Sequence, residues 1–400
     1  MHYSKCFLVL FVSLGICHGL TNTKRTQLER YLGDKVPGKY VVQLKQNTSF
    51  GSQFKNLNLN ITHDWSASSG FNGFAGYFNS DALRKLLQLP DVEAIAEDGL
   101  MYSQSAQATT QTNAPWGLAR LSTSSRLSNQ NSSASTFSYS YNQPAGAGVD
   151  IYVLDTGVYV QQTEFGGRAR WGATFGGYAN ADGNGHGTHC AGTAAGTTFG
   201  VAKLSNVIAI KILSDAGSGS ISDIISGINW VISSARASGR PSVILMALGG
   251  SASTPMDSAI VAATNAGIHV VVPSGNSNTN AGDTSPARVP SAITVAPITI
   301  GDALSSGSNY GSVIDIFAPG TNIQSAWIGS STATNVLSGG SMAAAHVAGL
   351  VAYLLSINGP MTPSALEALL KQLCRKDIIS GVPAGTLNCL AQNDVAVGRL

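Results

Sequence analysis

Five stretches of this chain are apolar almost without a break: VDIYVLDTG (149–157), NVIAIKIL (206–213), SVILMALGG (242–250), GIHVVVPSGN (267–276) and AITVAPI (292–298). A strand with one face in water alternates apolar and polar residues, whereas a strand covered on both faces does not. The runs are strand-length and β-branched. Helical periodicity fills the intervals. Ile221, Ile224, Ile225, Ile228 and Val231 recur at helical spacing, with Ser220 or Ser222 as N-cap. STPMDSAIVAATNAG reads as a second helix, ended by Gly267. Strands alternating with helices imply an α/β, three-layer domain around a mainly parallel central sheet. In such sheets ligands sit at the carboxyl ends of the strands.

Ahead of this region, residues from about Thr21 to Gln104 read as a small α+β unit. GKYVVQLK and VEAIAED are strands, and DALRKLLQLP is an amphipathic helix stopped by Pro90. SQSAQATTQTNAP follows, polar, small and aperiodic, and is read as an exposed linker open to proteolysis. The first segment, MHYSKCFLVLFVSLGICHG, places Lys5 before an apolar run from Phe7 to Ile16 and small residues after it. That is secretory signal design, too short to span a bilayer, and it implies a soluble, extracellular mature chain. Sequons at Asn47, Asn60 and Asn131 are compatible with secretion.

Five cysteines become three once Cys6 and Cys17 leave with the signal. Cys374 and Cys389 are near enough to close a short loop in an oxidising compartment, and Cys190 remains as a buried thiol beside His186. The chain is 44% hydrophobic and 11% charged, ample for a large core, with net charge +2. From Thr109 onward 13 basic residues balance 13 acidic ones. Neutrality offers no electrostatic reason for a nucleic-acid or membrane partner, and a monomer is expected.

Several runs end in polar, glycine-marked turns. Asp155 closes VLDTG, His186 lies in DGNGHGTHCAGTAAG, Asn276 ends PSGN, and Ser341 lies in LSGGSMAAAHVAG ahead of a small-residue helix from Met342 to Leu355. Singly these are a turn aspartate, a structural histidine, a turn asparagine and a helix cap. Jointly they supply an orienting acid, a base, an oxyanion donor and a nucleophile. His189 reads as a buried structural partner. An α/β-hydrolase esterase would need G-x-S-x-G and the order Ser, Asp, His. A dinucleotide enzyme would need G-x-G-x-x-G after the first strand, and zinc would need a His/Cys cluster. None of these patterns is present.

VLDTGV, GNGHGTHCAGT, SGN and SGGSMAAAHVAG together resemble the four signature regions of the subtilisin-like serine proteases, nearest to the secreted fungal proteinase K type. NAPWGLAR resembles that subgroup's mature start, and PGKYVVQLK, FNGFAGYF and LPDVEAIAED resemble its inhibitory propeptide. The resemblance implies a signal over 1–19, an inhibitory propeptide over 20–108 and a peptidase domain over 109–400, with self-cleavage near Ala108–Thr109. It implies a serine endopeptidase with Asp155, His186 and Ser341 as triad, and Asn276 with the Ser341 N–H as oxyanion hole. Gly217, Ser218, Gly219 and Ile221, and the segment from Ala247 to Gly250, would pair with an extended polypeptide substrate. Ala247, Leu248, Gly249, Ser274, Gly275 and Thr284 would line an uncharged S1 pocket suited to apolar or aromatic side chains. A structural calcium would take the Asp315 carboxylate and the carbonyls of Pro290 and Ala292.

The chain departs from the family pattern in places. Gly340 replaces Thr before the nucleophile, Ala344 and Ala345 replace Thr-Pro, and Ala247 replaces Ser. Pro273 and Ser274 replace an Ala pair, and Ile293 stands where a cysteine is expected.

Overall fold

The computed structural model describes residues 26–99, apart from 27, 31–34, 49–50, 52–53, 55–56, 58 and 67–69, and residues 108–396. The signal segment and residues 103–107 of the expected linker lie outside the described residues. The chain forms two compact units, residues 1–104 and 105–400.

The first unit contains β1 (Leu28–Glu29), β2 (Lys35–Leu44), β3 (Asn60–Asp64), β4 (Gly73–Tyr77), α1 (Ser80–Leu86) and β5 (Val92–Gly99). The sheet order is β1-β5-β2-β4-β3. Asn79 caps α1 by accepting the Ala82 N–H at 2.9 Å. Val42, Phe74, Leu86 and Ile95 are buried in this unit's own core.

The second unit opens with β6 (Ala108–Ala114), α2 (Trp116–Leu121) and β7 (Phe137–Asn142). Here the linker reading is corrected. Ala108–Ala114 is a strand, paired antiparallel with β7 from Ala108↔Asn142 to Ala114↔Phe137. Its small polar residues suit an edge strand, but the partner that orders them lies more than twenty residues downstream.

The central elements are β8 (Asp150–Asp155), β9 (Ala169–Thr174), α3 (His186–Ala195), β10 (Asn206–Lys211), α4 (Ile221–Ser238), β11 (Ser242–Leu245), β12 (Gly250–Ser251), α5 (Thr254–Asn265), β13 (His269–Pro273), β14 (Thr284–Ser285) and β15 (Ile293–Ile298). They are followed by β16 (Ile316–Pro319), β17 (Ile323–Ala326), β18 (Thr334–Leu337), α6 (Gly340–Asn358), α7 (Pro363–Leu373), β19 (Arg375–Lys376) and β20 (Cys389–Leu390). Nine strands form the main sheet in the order β19-β20-β16-β15-β13-β11-β8-β10-β9. Every neighbouring pair is parallel except β19 with β20.

Alternate residues of each strand enter different cores, which is why the runs are apolar throughout. Ile151, Val153, Val207 and Val243 pack with α3 and α6, including Ala191, Ala348 and Val351. Tyr152, Leu154, Ile208 and Ile244 pack with α4 and α5, including Ile228, Val231 and Ile260. Ser220 is the α4 cap, its Oγ accepting the Asp223 N–H at 3.1 Å. Helix α6 is long and apolar enough to cross a membrane, but Met342 to Leu355 are buried within the domain, which accounts for that composition. Cys374 and Cys389 form a disulfide, and Cys190 is a buried free thiol. Asn47, Asn60 and Asn131 are all exposed.

Candidate active site

Asp155 is the last residue of β8 and is fully buried. It accepts the Thr156 N–H at 2.7 Å, and both its oxygens meet His186 Nδ1, at 2.8 and 2.9 Å. His186 begins α3, with a quarter of its side chain exposed. The Asp155 carboxylate, with a smaller contribution from Cys190, raises the imidazole's pKa above its ordinary value. Cys190 Sγ lies 4.0 Å from His186 Nδ1, and burial pushes its thiol upward, away from the reactive thiolate. His189 is buried, bonded through Nε2 to the Ile323 carbonyl at 2.9 Å, so it is turned to a structural partner.

The turn before His186 is organised by Asp182. Its Oδ1 accepts the N–H groups of Asn184 and Gly185 and the Thr156 hydroxyl; its Oδ2 accepts the N–H and hydroxyl of Thr188. Residue 187 must be glycine, since a Cβ there would stand 2.1 Å from the Gly157 carbonyl. Sequence reading missed Asp182; its only signal was an acidic residue four positions before the histidine at a helix start.

Ser341 lies in the first turn of α6, where unpaired N–H groups favour developing negative charge. Its hydroxyl donates to the Ala247 carbonyl at 3.0 Å, and no hydrogen bond joins it to His186 among the described residues. Catalytic hydrogen bonds of this kind often form only around substrate. Asn276 follows β13. Its Oδ1 accepts the Gly340 N–H at 2.9 Å, which leaves Nδ2 as the donor available to a ligand.

The Asn276 loop is held by Asn309, a buried residue that sequence reading also missed. Asn309 Nδ2 donates to the Ser274 carbonyl at 2.9 Å, and Oδ1 accepts the N–H groups of Ser277 and Thr279. Gly275, at φ 103°, passes against this side chain; a Cβ there would be 2.4 Å from Asn309 Nδ2.

The expected substrate segments meet at the same edge of the sheet. β11 and β13 are parallel neighbours, so Ala247, Leu248 and Gly249, and Ser274 and Gly275, follow the carboxyl ends of adjacent strands. β12 pairs with β14, bringing Thr284 opposite Ser251. Ala247 and Ser274 are buried, Leu248, Gly275 and Thr284 half-buried, and Gly249 exposed. Gly217, Ser218 and Gly219 lie in an exposed segment beyond β10, where the Ser214 N–H donates to the Ser218 carbonyl at 2.8 Å, and Ile221 follows as the exposed first residue of α4.

The calcium expected at Asp315, Pro290 and Ala292 does not fit the residues present. Asp315 Oδ2 accepts the Thr294 N–H at 2.9 Å, and Oδ1 faces the Lys371 ammonium at 2.8 Å. The carboxylate expected to bind a hard cation already faces an ammonium.

Residues 146–382 match the subtilase family, Peptidase_S8, and residues 39–104 match the peptidase inhibitor I9 family. The chain is 44% identical over 357 residues to the subtilisin-like serine protease AsES of Sarocladium strictum, covering 88% of this chain and 89% of that protein. It is 41% identical over 369 residues to the subtilisin-like serine protease Pen ch 18 of Penicillium rubens, covering 88% and 74%. The crystal structure of a cold-adapted subtilisin-like serine proteinase superposes with TM-score 0.64 at 42% identity, covering 70% of this chain and 99% of that one. Sphericase superposes with TM-score 0.56 at 30% identity, covering 62% and 92%. The chain therefore belongs to the subtilase family of serine endopeptidases, with an I9 inhibitor domain ahead of its peptidase domain.

Proposed function

We propose that the peptidase unit cleaves internal peptide bonds through an acyl-enzyme, with Ser341 as nucleophile, His186 as base and then acid, and Asp155 as orienting carboxylate. The observation that carries this reading is the Asp155–His186 pair at the carboxyl edge of the sheet, buried on the acid's side and open on the base's. Ser341 Oγ attacks the scissile carbonyl carbon, and its proton passes to His186 Nε2. Asp155 holds Nδ1 protonated and stabilises the imidazolium. The carbonyl oxygen, now an anion, takes hydrogen bonds from the Ser341 N–H and Asn276 Nδ2. The proton then moves to the leaving nitrogen, and water releases the acyl group by the same steps.

The segment around Ala247, Leu248, Gly249, Ser274, Gly275 and Thr284 carries no charged side chain, which favours apolar or aromatic residues at the cleaved bond. Main-chain pairing with Gly217–Ile221 and Ala247–Gly250 gives affinity with little sequence demand. The precursor loses its signal, 1–19, on secretion and cuts itself near Ala108–Thr109. Residues 20–108 then act as inhibitor until digested, and Thr109 begins the mature chain within β6.

A fluorophosphonate probe tests the reading. It labels the wild-type chain on Ser341 and leaves Ser341→Ala unlabelled, and intact mass finds the Ser341→Ala precursor uncut when purified alone. Labelling or peptide hydrolysis that survives Ser341→Ala would overturn the assignment of the nucleophile. Uncut wild type would overturn self-processing alone.

A further inference from the structure

Asp315 is pinned between the starts of two central strands. Its N–H donates to the Thr294 carbonyl at 3.0 Å, and the Thr294 N–H returns to Asp315 Oδ2 at 2.9 Å. The carboxylate is largely buried, 17% exposed. Burial pushes its pKa upward, and a neighbouring cation opposes that. The cation comes from α7. Lys371, in the helix's last turn, sets Nζ 2.8 Å from Asp315 Oδ1 and 2.6 Å from Glu367 Oε1.

Calcium binds six to eight oxygens at about 2.3–2.6 Å. An ion at that distance on the open side of Oδ1 would stand against the ammonium, two positive centres competing for one oxygen. Pro290 and Ala292 could offer only neutral carbonyls, and Asp315 Oδ2 is already used by a backbone N–H. We infer that Lys371 takes the place of calcium at this site. The tethered ammonium, shared with Glu367, pairs with Asp315 and clamps α7 to the amino ends of β15 and β16. A bound metal stabilises by an amount that grows with the logarithm of free calcium above its dissociation constant. A tethered side chain does not, so this corner of the fold holds its cation whatever the calcium concentration.

The position separates the effect from catalysis. Asp315 precedes β16 and Thr294 lies at the start of β15, at the amino ends of the strands. Asp155 and Asn276 lie at the carboxyl ends of β8 and β13. The cluster therefore bears on stability.

The test uses the full chain carrying Ser341→Ala, so that it cannot digest itself, melted in chelator and in excess calcium. Any calcium response from sites elsewhere is common to all variants and cancels in the comparison. Asp315→Asn is expected to lower both melts by similar amounts and leave the difference between them unchanged. Lys371→Ala is expected to lower the chelator melt by about 3–6 °C. It should also gain a calcium-dependent recovery of several degrees and one further site by titration calorimetry. Adding Asp315→Asn should abolish both gains. The inference is overturned if Asp315→Asn removes a calcium response that the parent possesses, or if the Lys371 variant gains no Asp315-dependent site. Lys371→Met, which keeps the aliphatic stem, replaces Lys371→Ala if the latter does not fold. The comparison of parent with Asp315→Asn can overturn the inference without either.

Discussion

The Cβ that Gly340 lacks would lie 3.0 Å from the Cβ of Pro273, and 3.5 Å from Asn276 Oδ1. A separation of 3.0 Å is closer than side chains ordinarily tolerate, so the bulk of Pro273 at the end of β13 and the bare backbone before Ser341 belong together. Gly340→Thr alone should push Pro273 and Asn276 apart and lower kcat roughly tenfold. Pro273→Gly in the same chain, which removes the Cβ that the new side chain meets, should restore part of it. A double-mutant cycle on kcat should give a coupling of about 1 kcal/mol. Strictly additive costs would show that the pair is independent.

Asn309 holds the loop that aims Asn276. Asn276→Ala should lower kcat by about 10²–10³, the magnitude known for an oxyanion donor in a related subtilisin. Asn309→Ala should lower kcat by about tenfold or more with little change in KM, because it acts on the same donor. The double variant should be little worse than Asn276→Ala. Full multiplication of the two losses would place Asn309 outside the oxyanion site's support.

The carboxylate of Asp155 raises the His186 pKa, and catalysis needs the imidazole neutral before it takes the Ser341 proton. Removing the charge lowers that pKa. Asp155→Asn should therefore move the acid limb of the kcat/KM profile to lower pH while kcat falls by about 10⁴. An acid limb that stayed in place or rose would contradict the electrostatic role of Asp155.

Three other histidines are buried, and burial pushes each to about 4: His189, His269 and His346. The unfolded chain binds these protons near pH 6.5. The folded chain binds them only near pH 4. Their stabilising contribution is thus complete above about pH 6.5 and is lost as pH falls towards 4, on the order of 3 kcal/mol for each. Denaturant unfolding of the Ser341→Ala chain should weaken across that window, with unfolding taking up close to three additional protons near its middle, at about pH 5. A flat profile from pH 6.5 to 4 would rule this out.

The fold class was legible because each strand of the central sheet carries its burial in its own residues. Ile151 and Val153 face one core and Tyr152 and Leu154 the other, so the run is apolar whatever lies around it. The residues at the strand ends, Asp155, His186, Asn276 and Ser341, were legible as a set, because their chemistry is complementary and each falls where a parallel sheet exposes its carboxyl edge. Ala108–Ala114 was misread as linker because small polar residues have weak periodicity, and only pairing with β7 makes them a strand.

What the sequence alone determined, then, is whatever local pattern encodes: strands apolar on both faces, amphipathic helices with their caps, and glycine-marked turns at the strand ends. Tertiary structure alone decided which distant residues support the site. Asn309 reaches back to the 274–279 loop, Pro273 fills the space beside Gly340, and Lys371 lies on Asp315. These are contacts between residues 30 to 67 positions apart. One side chain has no period, so nothing in the local pattern marks its partner. The packing of the parallel strands and of α7 against them brings each pair within reach.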